Sequence, residues 1–153
     1  MKANVNTNGI QSLNIDLGEI RLAVNGDESK ILAFNPYDVD FTERFYSLIG
    51  KVDEVQKRYE VIAAELDGNT ETDAYGMKKN QPEIFKMRRD ICTELRAELD
   101  GVFGEGVSDM CFGNTNTLEM FEAFFTAITP FVERSRTSKI QKYTQSSGKA
   151  VKK

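Results

Sequence analysis

The 153-residue sequence contains no histidine and no tryptophan. Histidine is the commonest general base and the commonest metal ligand in proteins, so its absence excludes Ser-His-Asp and Cys-His catalytic sites and histidine-bound zinc. Only two cysteines are present, Cys92 and Cys111, and they form no C-x-x-C pair. This favours packed, reduced thiols over a disulfide or a metal centre. We therefore expect a protein that is not an enzyme and that uses no metal or cofactor.

Long apolar runs are absent as well. No stretch approaches the roughly 18 apolar residues of a membrane span. The first residues, MKANVNTNGIQSLN, lack the apolar core of a secretory signal. We expect a cytoplasmic protein of one domain that does not contact a membrane.

Acidic residues are missing after Glu133, where seven basic residues follow: Arg134, Arg136, Lys139, Lys142, Lys149, Lys152 and Lys153. The whole chain has 20 basic and 24 acidic residues, so residues 1–133 hold 13 basic residues and a net charge of −11. The first four tail residues in that list are candidates for contacting an acidic protein surface. The acidic body would repel a phosphate backbone, so we expect no nucleic-acid binding.

Alternating apolar residues predict an antiparallel β-hairpin over residues 20–34, with its turn at the segment NGDES. Leu13, Ile15 and Leu17 also alternate with polar residues and form a candidate third strand. The alternation changes parity at Gly18-Glu19, which indicates a β-bulge or a turn.

The first of three amphipathic segments begins at Asp40, which has capping-box spacing to Glu43. Its apolar residues recur in steps of four and three: Phe41, Phe45, Leu48, Val52, Val55, Tyr59, Ile62 and Leu66. One interpretation is a long helix that lies on the core of a bundle. The alternative is a seam that pairs with another chain, although the pattern is shorter than four full heptads.

Two further helices follow a polar loop at residues 67–80. The second helix has Asn80 as its cap and Pro82 in its first turn, and its apolar face is Ile84/Phe85, Ile91/Cys92, Leu95, Leu99 and Val102/Phe103. The third begins at Asn116, and Pro130 should kink or end it. The predicted fold is α+β and mainly α: one domain over residues 12–143, with residues 1–11 and a basic tail at residues 144–153 disordered.

The segment GVFGEGVSDMCFGN, residues 101–114, contains Gly101, Gly104, Gly106 and Gly113. It does not fit a phosphate-binding loop, because Val107 stands where a P-loop has lysine, and a helix rather than a strand precedes it. We interpret the segment as a structural corner. Gly101 and Gly104 end the second helix, and Gly106 and Gly113 enclose a single helical turn.

Phenylalanines dominate the last predicted helix. Phe121, Phe124 and Phe125 form a stripe that belongs either to the core or to a surface that binds a partner protein. We expect concentration-dependent self-association through the 41–66 seam or through the stripe from Phe121 to Val132.

The order of these parts resembles the tail assembly chaperones of long-tailed phages and prophages of Gram-positive bacteria. The resemblance covers roughly residues 19–134. It includes the hairpin IRLAVNGDESKILAF, the helix DFTERFYSLIGKVDEVQKRYEVIAAEL, and FGEGVSDMCFGNTNTLEMFEAFFTAITPFVE. The loop at residues 67–80 fits the family pattern less well.

The resemblance implies a protein that binds the tape measure protein and tail tube subunits while the tail is built, and that leaves before the tail is complete. It also implies that a longer form made by translational slippage is common in the family. A structural virion protein, such as a head–tail joining or tail component, is the alternative.

Residues 134–153, which carry all seven of the basic residues that follow Glu133, should be dispensable for folding and required for assembly. The last ten of them contain no large apolar side chain except Val151, so truncation after Tyr143 removes little that can be buried and should cost little stability. Thermal unfolding and co-expression with the tape measure protein measure the two effects. A truncated chain that unfolds would contradict this prediction.

Overall fold

The computed structural model describes residues 9–133, which form a two-stranded hairpin followed by four helices. The elements are β1 (Ile20–Val24), β2 (Asp27–Phe34), α1 (Val39–Asp67), α2 (Gln81–Phe103), α3 (Val107–Phe112) and α4, which is helical from residue 118 to 133. The predicted fold, mainly α with an N-terminal antiparallel hairpin, three main helices and a short helical turn, is confirmed. The predicted disordered tail lies outside the described residues, as do most of residues 1–11 and the last ten residues of the predicted domain.

The hairpin turns at Asn25 and Gly26, as the sequence predicted. Both residues have positive φ, 52° and 77°, which is the conformation of a two-residue turn that matches the twist of the strands. β1 and β2 pair antiparallel from Ile20 opposite Phe34. Because side chains alternate along a strand, Leu32 and Phe34 face the core and are buried.

The candidate third strand at residues 13–17 is wrong: these residues belong to no strand. The predicted turn at Gly18 explains why. Gly18 has φ +88°, its N–H donates to Asp16 Oδ1 at 2.9 Å, and Asn35 Nδ2 donates to the carbonyl of Leu17. These contacts hold the chain beside the residues that follow β2, and it does not pair with either strand.

Two helix starts differ from the predicted caps. Asp38, rather than Asp40, caps α1, and its carboxylate accepts from the Asp40 N–H at 3.0 Å. In α4, Thr117 Oγ1 accepts from the Met120 N–H at 3.1 Å, which makes it the cap in place of Asn116. In each case two residues that can cap a helix lie within two positions of each other. The prediction relied on the three-residue spacing to a glutamate, and this spacing identified the wrong one of the two.

Asn80 occupies the predicted cap position of α2, but its side chain makes no capping bond. Its Nδ2 instead donates to the Leu66 carbonyl at 2.6 Å. The buried Oδ1 has no partner among the described residues. Asn80 therefore ties the end of α1 to the start of α2, through a carbonyl in the last turn of α1 that also accepts from the Asn69 N–H at 3.3 Å.

The first half of the α1 seam lies in the core, as the bundle interpretation predicted. Phe41, Phe45, Leu48 and Val55 are buried, whereas Ile62, near the end of α1, is exposed. The rings of Phe34, Phe41, Phe45 and Phe124 surround Phe103 with centroid distances of 5.3 to 6.2 Å. This aromatic cluster joins the hairpin to α1, α2 and α4.

Two smaller expectations are wrong, and one of the two effects expected of Pro130, the end of its helix, does not occur. Phe85, assigned to the apolar face of α2, is exposed, because the core-facing side of that turn is filled by Ile84. Gly101 does not end α2, which continues to Phe103. Pro130 does not end α4, which remains helical to residue 133. The missing N–H of Pro130 removes only one bond of the helix.

The glycine corner is confirmed at three of its four glycines. Gly104, Gly106 and Gly113 have φ of 125°, 86° and 58°, in the region that side chains with a Cβ rarely adopt. Gly104 ends α2, and the other two enclose α3.

Two side chains of α2 hold this corner in place. Asp100 accepts from the Ser108 N–H at 2.7 Å and from the Ser108 hydroxyl at 3.1 Å, so it caps α3 from a neighbouring helix. One turn earlier, Arg96 donates to Asn116 Oδ1 at 3.0 Å, to Asp109 Oδ1 at 2.9 Å and to the Gly113 and Thr115 carbonyls. Arg96 therefore fixes the chain between α3 and α4.

Arg96→Lys should destabilise the protein by about 1–3 kcal/mol, because an ammonium cannot reproduce the planar fork that reaches four acceptors. The measurement is the midpoint of urea unfolding followed by circular dichroism. Arg89→Lys, on the exposed side of the same helix, is the matched control and should change the midpoint little. Equal effects of the two substitutions would contradict a structural role for the fork.

Candidate binding grooves

The predicted partner-binding stripe is divided between the core and two grooves. Phe121 is buried, and Phe124 and Phe125 are half-buried against the core clusters. Most of the stripe therefore packs within the chain, as does the first half of the α1 seam. These parts of the two surfaces are not free for the expected self-association. The predicted basic contacts, Arg134, Arg136, Lys139 and Lys142, lie outside the described residues.

The larger groove, here called the helical groove, lies between α1, α2 and α4 and has a volume of about 700 Å³. Buried Ile91, Leu95 and Phe121 form its floor. Its walls include Val52 and Tyr59 of α1, Met87 of α2, and Leu118 and Phe125 of α4. Ile49 and Leu118 are exposed apolar residues, so the groove presents an apolar surface to solvent.

Acidic side chains border the helical groove. Glu60 of α1 and Glu119 and Glu122 of α4 line it, together with one basic residue, Arg88. All four residues are exposed. The rim therefore carries a net negative charge, in keeping with the charge of −11 over residues 1–133.

A polar contact between α1 and α2 fixes one wall of the helical groove. Arg58 forms an ion pair with Glu94, and the Tyr59 hydroxyl donates to the other oxygen of that carboxylate at 3.2 Å. Burial, and next the bond to Glu94, raise the pKa of Tyr59. The bond from the Tyr59 hydroxyl to Glu94 holds the Tyr59 ring in the wall.

The second groove, here called the hairpin cleft, lies between β1, α3 and α4 and has a volume of about 410 Å³. Four consecutive residues along β1 and its turn, Leu22 to Asn25, line one side, whereas β2 contributes only Leu32. The opposite side is apolar and consists of Cys111, Phe112, Met120, Ala123, Phe124, Ala127, Ile128 and Phe131. The edge of β1 therefore borders an apolar depression.

Sequence reasoning missed the hairpin cleft, although a signal for it exists. Ala123 and Ala127 are four residues apart and share one face of α4. They leave room between larger neighbours such as Phe124 and Phe131. The periodicity identified the apolar stripe of α4 but not the gap that small residues leave within it.

The polar loop between α1 and α2 has local order. Asp73 Oδ1 accepts from the N–H groups of Tyr75 and Met77 at 2.8 and 3.0 Å, and Thr72 pairs with Lys78. Tyr75 projects into solvent from its tip. Within residues 9–133, no group of three or more acidic or cysteine side chains is placed to hold a metal ion.

Residues 9–133 therefore define a mainly helical α+β protein with an N-terminal hairpin and two apolar grooves that share α4. The model of a family of unknown function, DUF6673, matches residues 27–153, and the chain belongs to this family. No curated protein matches the chain, and no solved structure does. None of the described helices is long and apolar enough to cross a membrane.

The two thiols should differ in reactivity, because Cys92 is buried and Cys111 lines the hairpin cleft. Burial raises the pKa of both thiols. A raised pKa lowers the fraction of reactive thiolate at pH 8. We expect iodoacetamide to modify Cys111 before Cys92, and both several-fold more slowly than in urea. Mass spectrometry of timed samples measures this, and faster modification of Cys92 would contradict the described packing.

Proposed function

We propose that this protein is a tail assembly chaperone of a long-tailed phage or prophage, non-catalytic, that binds the tape measure protein and tail tube subunits during tail morphogenesis. The order of hairpin, long helix and glycine corner supports this proposal through its resemblance to that family. The observation that carries the proposal furthest is the helical groove.

The helical groove suits the apolar face of an amphipathic helix. Its floor is apolar, three packed helices hold it open, and Met87 supplies an adaptable side chain. A helix that docks in such a groove presents apolar residues three and four positions apart. A tape measure protein, which the resemblance implies to be the client, is long and helical and exposes such faces until the tube covers them.

The negative charge at the rim of the helical groove also indicates which kind of client helix would bind. The acidic rim of Glu60, Glu119 and Glu122 favours a client helix with basic residues beside its apolar face, and it disfavours an acidic one. The exposed position of these carboxylates makes their effect sensitive to salt. The proposed site of action is the cytoplasm of the bacterial host, where tails are assembled.

The proposal predicts that Leu118→Asp weakens client binding without unfolding the chaperone. Leu118 is an exposed wall residue in the first turn of α4, where a carboxylate is favourable to the helix. Its charge would meet the apolar face of the client and add to the acidic rim. The measurement is the soluble fraction of a tape measure protein when the two proteins are co-expressed.

Val61→Asp is the matched control, because Val61 is also exposed and does not line the helical groove. It should leave the soluble fraction of the client unchanged. Equal loss with both variants, or with neither, would place client binding elsewhere. Recovery of the protein in purified phage particles would favour a virion component over a chaperone that leaves the finished tail.

A further inference from the structure

An exposed apolar arm precedes the hairpin. Leu13, Ile15 and Leu17 have 84%, 67% and 73% of their surfaces exposed, which is unusual for three large aliphatic residues so close in sequence. They alternate with the polar residues Asn14 and Asp16. In an extended chain such alternation places all three apolar side chains on one side, about 7 Å apart.

The base of this arm is fixed on the side of the hairpin that β2 occupies. Asn35, directly after β2, holds the Leu17 carbonyl, and its Oδ1 accepts from the Tyr37 N–H at 2.9 Å. The Tyr37 ring packs so closely on Gly18 that a Cβ there would lie 2.7 Å from it. The base of the arm therefore lies beside the residues that follow β2.

The opposite edge of the hairpin, which is the outer edge of β1, borders the hairpin cleft. Among the described residues, β1 pairs only with β2, so its second edge has backbone groups available for another strand. The cleft beside it is apolar and has a volume of about 410 Å³. A strand added to β1 would place alternate side chains into this cleft.

We propose that the arm, residues 13–17, of one copy of this chain adds as a strand to the free edge of β1 in a second copy. Leu13, Ile15 and Leu17 then fill the hairpin cleft, and main-chain hydrogen bonds extend the sheet from two strands to three. Residues 9–133 thus contain both an exposed apolar segment and an apolar cleft beside a strand edge that pairs with no other described strand.

The charged residues of the arm and of β1 also favour their pairing. Leu22 and Val24 face inward, so Arg21 and Ala23 occupy the outer face of β1, where Arg21 is exposed. Asp16 of the added strand would lie on this same outer face. Opposite charges on neighbouring strands stabilise pairing, whereas the acidic helices would repel a second copy docked through them.

The proposal does not rest on the proposed chaperone function, and it leaves the helical groove open. Its first test is a disulfide trap, because the native Cys111 lines the hairpin cleft. In the full chain, Ile15→Cys should form an intermolecular disulfide with Cys111 of the second copy under mild oxidation. Tyr75→Cys, at the exposed tip of the α1–α2 loop, is the matched control and should not link to Cys111.

Non-reducing electrophoresis and peptide mapping identify the product. A disulfide between positions 15 and 111 that links two chains supports the proposal. The same disulfide within one chain, a link between the two engineered cysteines at position 15, or no link above the level of the control would overturn it.

The second test removes the apolar arm without a covalent bond. The triple variant Leu13→Asn, Ile15→Asn and Leu17→Asn should have the mass of a monomer by light scattering at concentrations where the wild type has at least twice that mass. Unchanged circular dichroism shows that the variant is folded. Val61→Asn with Ile62→Asn, two exposed apolar residues of α1, should not change the mass. A monomeric wild type, or an unchanged mass in the triple variant, would refute the exchange of arms.

Discussion

Arg96 and Asp100, one turn apart on α2, determine where α3 and the start of α4 lie. The Arg96 side chain is only 13% exposed, whereas that of Asp109 is 82% exposed, so the ion pair between them contributes less than the bonds to the Gly113 and Thr115 carbonyls. Those carbonyls lie in the connection that follows α3, near the C-terminal end of that helix, which favours a cation. The guanidinium also lies 5.6 Å from the Phe112 ring centre. Both grooves use α4 as a wall, so both depend on this corner.

The sequence predicted the elements better than the contacts that position them. Period-two alternation, four-three spacing and positive-φ glycines are local properties, and the hairpin, the long helices and α3 follow from them. Arg96 has no such local signature, because it is one basic residue among several in the α2 stretch KMRRDICTELRAELD, residues 86–100. Its role arises because the chain returns past α2 between residues 113 and 117. The predicted caps of α1 and α4 were wrong for a related reason. Two nearby residues could cap each helix, and the path of the chain before the helix decides which one does.

The sequence predicted the apolar stripe of α4 but not the grooves beside it, because the grooves depend on how the elements pack. The phenylalanines of α4 cover more of its circumference than one neighbour can bury, with Phe121 and Phe125 toward α1 and α2 and Phe124 toward the hairpin side. Periodicity identifies such a wide apolar stripe as inward-facing. It cannot say which part of the stripe is left uncovered, because this depends on how closely the hairpin and α1 approach from opposite sides. The glutamates of the acidic rim are likewise scattered in the sequence. They form a rim only because α1 and α4 face each other across the groove.

The aromatic cluster around Phe103 explains how so small a sheet can be stable and still have an unpaired edge. An isolated two-stranded hairpin is marginal in water, but Phe34 of β2 stacks on Phe41 with ring centres 5.2 Å apart and meets the edge of Phe103 at 5.8 Å. The rings of α1 and α2 thus hold the hairpin through β2. β1 is attached mainly through its pairing with β2, so its outer edge needs no contact with a helix to stay in place. Within residues 9–133, the packing that stabilises the sheet is therefore also what leaves the edge of β1 without a partner strand beside α4.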